Sequence, residues 1–178
     1  PAMAQGSAGI TAVVQDVTDR KAAEKALRES EQRLKILFES APDGIYLSDL
    51  EGNLIDGNRM AAKLAGYARE ELIGRNFAEV GLLWPHEIPK AIANLGKVAA
   101  GEPAGPDEFT LRRKDGTQVV VEIRTYPVRI NNQNLSLGIA RDITERKKAE
   151  RLLRKERDKA QQYLDIAAVM MIAVDSEQ

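Results

Sequence analysis

The amino-acid sequence predicts an α+β fold: an antiparallel sheet carrying short helices on one face, flanked by N- and C-terminal linker helices. Three observations predict it. The strand-like segments fall into two groups, a pair and a three-stranded meander, separated by several short helical segments. A charged, helix-like segment occurs twice, at an offset of 126 residues. The charges are also uneven: windows 18–35 and 144–161 hold ten and twelve Asp, Glu, Lys or Arg residues, of 26 basic and 27 acidic in the chain. Those windows bracket the sheet-forming part.

The repeat aligns Asp16-Val-Thr-Asp-Arg-Lys-Ala-Ala-Glu-Lys-Ala-Leu27 with Asp142-Ile-Thr-Glu-Arg-Lys-Lys-Ala-Glu-Arg-Leu-Leu153, with seven of twelve positions identical. The same offset sets Phe38 on Leu164, Ala41 on Ala167 and Asp49 on Asp175, so the chain reads as one full period with a piece of a neighbour at each end. Thr18 and Thr144 are helix N-caps by residue type, each followed by an acid that suits the helix dipole. Ala23, Leu27, Ser30, Leu34 and Leu37 recur at spacings of four and three, and Ala149, Leu153, Glu156, Ala160 and Tyr163 occupy equivalent positions. An apolar stripe with charged flanks is the pattern of a coiled-coil seam. Leu27, Leu34, Leu37 and Leu153 are therefore the candidate contacts of a homodimer; the alternative is a solvated helix packed on its own domain. Glu156 makes the second seam the weaker one.

Between these helices, 44–49 is a short strand, and Glu51-Gly52-Asn53 turns the chain into a second strand over 54–57. Asn58 caps a short helix over 60–65, closed by Gly66. A further helical turn at 69–73 ends at Gly74, and 86–100 is a longer helix with Ile88, Ile92 and Leu95 on one face. Strands over 107–113, 118–130 and 135–143 complete the pattern. Their turns are Lys114-Asp115-Gly116-Thr117 and Asn131-Asn132-Gln133-Asn134.

Composition narrows the function. With 43% hydrophobic residues the 178-residue chain can bury a core, and a net charge of -1 argues against a nucleic-acid surface. No cysteine means no disulfide, thiolate metal site or cysteine nucleophile, and the single histidine, His86, excludes multi-histidine metal sites. The longest apolar run, 166–174, has nine residues, about half of the ~20 a spanning helix needs. No signal segment opens the chain, so a soluble, cytoplasmic fragment without membrane contact is expected, with attachment of a longer parent left open. No His-Glu-x-x-His, phosphate-binding loop or Ser/His/Asp set is present, and His86-Glu-Ile-Pro89 is one residue short of a kinase phosphoacceptor motif. Asp49-Leu-Glu-Gly-Asn53 lacks the closing glutamate of a calcium loop and reads as a turn. An enzyme in its own right is not expected.

Five segments occur in a telling order: Leu37-Phe-Glu-Ser-Ala-Pro-Asp-Gly-Ile45, Asp49-Leu-Glu-Gly-Asn-Leu-Ile-Asp-Gly-Asn58, Gly66-Tyr-Ala-Arg-Glu-Glu-Leu-Ile-Gly74, Arg112-Arg-Lys-Asp-Gly-Thr117 and Gly138-Ile-Ala-Arg-Asp-Ile-Thr-Glu-Arg146. Each is weak alone; together, over 30–146, they resemble the PAS sensor domain. The resemblance implies a five-stranded antiparallel sheet cupped around a small cavity, and a sensory rather than catalytic role. It implies the organisation of a tandem array: 1–17 the end of a preceding PAS unit, 18–36 a linker or coiled-coil helix, 37–143 the PAS domain, 144–165 the outgoing helix, 166–178 the start of a following unit. Asp142, Ile143 and Thr144 match the family's junction between sheet and outgoing helix. There Thr144 would cap the helix and Asp142 would pair with a cation.

The light-sensing branch of the family needs a cysteine after Gly-x-Asn. Here Gly74-Arg75-Asn76 is followed by Phe77, so a cysteinyl-flavin adduct is excluded. Haem-binding members use a cavity-facing histidine, whereas His86 reads as a surface residue at a helix entry. The cofactor is left unknown. Pocket candidates are Asn58 and the aromatic residues Phe77 and Trp84, whose other reading is core packing, with Arg124 and Tyr126 on the strand 118–130. Alternation there puts Val119, Val121 and Ile123 on one face, and Val120, Glu122, Arg124 and Tyr126 on the other. Which face is concave is not given by the pattern. Two readings of function follow: a sensor of an unidentified small molecule that signals through the helix beginning at Thr144 to an output domain such as a histidine kinase, or a ligand-free dimerisation and relay module. Adjacent PAS and output domains are the expected partners of either.

Overall fold

A computed structural model describes the backbone of residues 6–175 and the side chains of 20–164. The chain forms two compact units, Pro1–Ala41 and Pro42–Gln178. The first is one helix, α1 (Gly6–Ser40). It begins well before Thr18, which is therefore an interior helical residue and not a cap. No proline interrupts 6–17, and threonine is tolerated inside helices. Leu27, Leu34 and Leu37 are 62%, 63% and 61% exposed.

In the second unit, β1 (Gly44–Ser48) and β2 (Leu54–Gly57) precede the short helices α2 (Arg59–Ala65), α3 (Arg69–Leu72), α4 (Phe77–Val80) and α5 (Ile88–Ala99). Then come β3 (Ala104–Arg112), β4 (Gln118–Ile130), β5 (Gln133–Asp142) and the outgoing helix α6 (Thr144–Asp175). All five strands pair antiparallel in the order β2-β1-β5-β4-β3. The first strand thus lies inside the sheet, between β2 and the central strand β5, with Gly44 opposite Ala140 and Ser48 opposite Ser136. The Asn131-Asn132 turn has both residues at positive φ, 48° and 68°, which matches the twist of a two-residue hairpin, and the strand resumes at Gln133. On the edge strand β3, pairing starts at Ala104, earlier than the pattern suggested. A bulge at Gly105-Pro106 lets it do so, because an edge position can lack the proline N–H. The additional helix α4 is capped by Asn76, whose side chain accepts from the Ala78 N–H.

The helices cover one face. Leu64 of α2 and Leu83 pack with Phe109, Leu111, Val119, Val121, Ile123 and Ala140 of the sheet; Ala65, Leu72 and Leu82 form a smaller cluster. One side chain ties helix and sheet together. Asn58, fully buried, accepts the N–H groups of Ile45 (2.9 Å) and Ala61 (2.9 Å) on Oδ1 and donates from Nδ2 to the Asp43 carbonyl (3.0 Å). It caps α2 and orients β1 in the same stroke.

The segment 166–174 continues α6, and its side chains lie outside the described residues. Among the described residues no helix is long and apolar enough to cross a membrane.

Asn58→Ala should lower unfolding stability by about 2–4 kcal/mol, combining a lost cap with buried backbone groups left unpaired. Urea denaturation measures it. A loss below about 1 kcal/mol would mean that water replaces the amide.

Candidate functional site

Alternation along the central strands decides what the helices enclose. On β4, Val119, Val121, Ile123 and Thr125 are buried and point to the helical side. Arg124 and Tyr126 are one step out of phase and lie exposed on the opposite, convex face. Two of the sequence-derived pocket candidates are thereby corrected: the concave face belongs to the Val119 set. On β5 the inward residues are Ser136, Gly138 and Ala140, and on β1 they are Gly44, Tyr46 and Ser48.

Between this face and α2, α3, α4 and α5 lies a cavity of about 130 Å³. Its walls are mainly aliphatic and aromatic, among them Leu64, Leu72, Leu83, Phe109 and Phe77. Asn58 and Phe77 thus line it, although Asn58 hydrogen bonds to the backbone of Ile45, Ala61 and Asp43. Phe77, at the position of the missing thiol, rests against the Gly52 turn, where a Cβ would strike its ring. Trp84 is not in the lining; it is half-buried beside the Arg112 guanidinium, 5.5 Å from its ring centre. His86 sits exposed in the turn before α5.

The polar lining is concentrated on the sheet. Tyr46 pairs with Gly138, which pairs with Thr125. Because a Cβ on Gly138 would collide with the Tyr46 ring, glycine there lets the ring lie across β5 and its hydroxyl bond with Thr125. Burial pushes the Tyr46 hydroxyl pKa up to about 12, with the Thr125 bond opposing part of that rise. One row along, Ser48 pairs with Ser136, and Ser136 with Pro127. Asp56 and Arg69 are the charged residues of the lining; they form an ion pair, each close to half exposed, so this edge by β2 and α3 meets solvent.

Sequence reasoning missed Tyr46, Ser48, Thr125 and Ser136. The signal was present as period two: Ser136, Gly138 and Ala140 put only small side chains on one face of a strand, which leaves room above it.

The sheet-to-helix junction is built on β4. The Ile143 N–H donates to the Val120 carbonyl (2.9 Å), extending the β4–β5 ladder by one residue, and the Ile143 side chain is buried. The chain then turns, and the Val120 N–H finds Thr144 Oγ1 (3.0 Å). Asp142 Oδ1 accepts the Thr144 N–H (2.8 Å), so the helix start is held by Asp142 and the Thr144 hydroxyl clamps the strand. This corrects both expected roles. The cation beside this corner is Arg141, which binds both carboxylate oxygens of Asp43, just before β1. The hydrogen bond and charge of Asp43 raise the Arg141 pKa further. Lys147 of α6 meets Glu108 of β3 at 2.7 Å, a contact that raises the lysine pKa, and Arg146 reaches Glu122 of β4 at 3.4 Å. Leu153, further along α6, is 73% exposed.

The PAS domain profile matches residues 42–145. Sporulation kinase E of Bacillus subtilis (strain 168) is 29% identical over 143 residues, 80% of this chain and 19% of that protein. The C4-dicarboxylate transport sensor protein DctS of Rhodobacter capsulatus is 30% identical over 142 residues, 77% of this chain and 21% of that protein. The chain thus spans about a fifth of the length of these two relatives. Among solved structures, the PAS domain of an HTR-like protein from Haloarcula marismortui superposes with a TM-score of 0.62 at 28% identity, covering 69% of this chain and 99% of that one.

The buried Tyr46 hydroxyl makes stability depend on alkaline pH. Its folded pKa of about 12 exceeds the ordinary tyrosine value of 10.0, so the protonated form is favoured by folding. That contribution is complete below pH 10 and is lost as pH rises toward about 12; on the order of 2–3 kcal/mol is at stake. Tyr46→Phe should flatten this part of the stability curve. Identical pH profiles for the two proteins in urea unfolding would contradict it.

Proposed function

The chain belongs to the PAS domain family, and from that premise we propose that it is a sensory module that binds a small molecule in the cavity and signals through Asp142, Ile143 and Thr144 into α6. The observation that carries this reading is the double use of β4. The strand supplies Ile123 and Thr125 to the cavity, and three residues before Ile123 its Val120 backbone holds the root of α6. A ligand that alters the spacing of β4 and β5 therefore acts on the helix without an intermediate element. The relatives that are sensor kinases support an output domain of the histidine kinase type beyond α6. In this reading residues 37–143 are one PAS domain of a cytoplasmic tandem array. The exposed stripes on α1 and α6 support a homodimer.

Native mass spectrometry of the freshly purified protein tests the binding step. A reproducible excess mass identifies a bound small molecule; a bare mass moves the assignment to a ligand-free dimerisation and relay module.

For the relay, Ala140→Val adds bulk to the cavity wall and should change hydrogen-exchange protection at the start of α6 several-fold. Adding Thr144→Val should abolish that change, because the clamp to Val120 is gone. Equal protection in wild type and Ala140→Val would refute the relay.

For the dimer, Leu27→Asp with Leu34→Asp should convert dimer to monomer by placing charges in the seam while the sheet stays folded. An unchanged sedimentation coefficient would refute the seam.

A further inference from the structure

We infer that the cavity takes an uncharged ligand of about benzene size with a single polar atom, such as a phenol or a small aromatic alcohol, and that this atom hydrogen bonds to Ser136 Oγ. The inference rests on the sensory reading and deepens it by naming the ligand's chemistry. Three independent features carry it.

Size comes first. A cavity of about 150 Å³ lined by apolar side chains holds benzene in a well-studied case, and this one has about 130 Å³. Roughly the size of benzene, about six heavy atoms, is the scale that such a space accepts.

Charge comes second. The charged residues of the lining, Asp56 and Arg69, already neutralise each other at the solvent edge. An anion drawn further in would leave water for apolar walls and find Arg69 shared with a carboxylate. A neutral molecule meets no such penalty.

The third feature is a hydroxyl with nothing to bond. Ser136 is 0% exposed and lines the cavity, and among the described residues its Oγ is the one buried side-chain polar atom without a hydrogen-bond partner. Thr125 bonds with Tyr46, and Asn58 bonds with the backbone; both are engaged. An unpartnered buried hydroxyl destabilises a fold, whereas a ligand hydroxyl or carbonyl arriving in the cavity completes it. The group is a donor and an acceptor at once, so it serves either.

Titration of the full chain with phenol, benzene, benzoate and succinate, followed by amide NMR shifts, tests this. Phenol should bind saturably with shifts at Ser136 and its neighbours on β1, β4 and β5, and more tightly than benzene. Ser136→Ala should weaken phenol about 5–30-fold and leave benzene unchanged. The same variant should melt a few degrees higher without ligand, since it loses an unsatisfied hydroxyl, and this confirms that it folds. Equal phenol affinity in Ser136→Ala overturns the anchor, meaning that solvent already serves the hydroxyl. Binding of benzoate or succinate without phenol overturns the uncharged class while the sensory reading stands. If none of the four probes binds, the proposed class is wrong; an excess mass on the purified protein then keeps the sensory reading, and a bare mass removes it too.

Discussion

The pairing of β1 with β5 is the constraint on which the rest of the domain depends. It joins the first strand to the last, five residue pairs from Gly44–Ala140 to Ser48–Ser136. Closing so long a loop is entropically costly, and the return is a central strand with backbone bonds on both sides. The pairing sets Tyr46 over Gly138 and Ser48 beside Ser136, which creates the polar floor of the cavity. It also brings the beginning and the end of the sheet side by side, where Arg141 grips Asp43. Asn58 secures the same strand from the helical side. Floor, junction and helical cover all lean on one register.

The domain combines a hydrogen-bonded perimeter with an incompletely satisfied centre. Around the edge, polar groups are matched: Asp49 accepts the Glu51 and Asn53 N–H groups in the first turn, and Glu87 accepts the Thr110 N–H to fasten the start of α5 to β3. Inside, tight packing gives way to open volume and an unpartnered hydroxyl. Close-packed interiors seldom leave either. The surface ion pairs around the root of α6 contribute modestly, because Lys147–Glu108 and Arg146–Glu122 are partly solvated. The backbone and hydroxyl bonds to Val120 define that corner, and the charges trim its direction.

Much of the fold was legible because its signals are local. Asn58 followed by a helix closed at Gly66, the double-asparagine turn, and the alternation of β4 each depend on a few adjacent residues. Legibility failed where a local signal was ambiguous. Thr144 has the type of an N-cap, but its hydroxyl faced two competing partners, its own helix and the unpaired Val120 N–H of a neighbouring strand. Thr18 has the same type and the same sequence context as Thr144, yet lies within a continuous helix whose residues 6–17 precede it. The short helix α4 carries too few residues to show a period. Arg124, Tyr126 and Trp84 were attractive as ligand contacts by chemistry alone, and chemistry does not report direction.

The α+β class, the strands and every helix but α4 in their order, the repeated charged segments that bracket the domain, and the absence of thiol chemistry can be read from the sequence alone. These follow from periodicity, turn residues and composition, which are properties of neighbours along the chain. The position of β1 between β2 and β5, the concave face of β4, the neutralisation of Arg69 by Asp56 and the burial of Ser136 without a hydrogen-bond partner emerge in three dimensions. Each of those is a relation between residues far apart in sequence. Strand alternation assigns residues to two faces, but the choice between the faces is made by the helices that cover one of them.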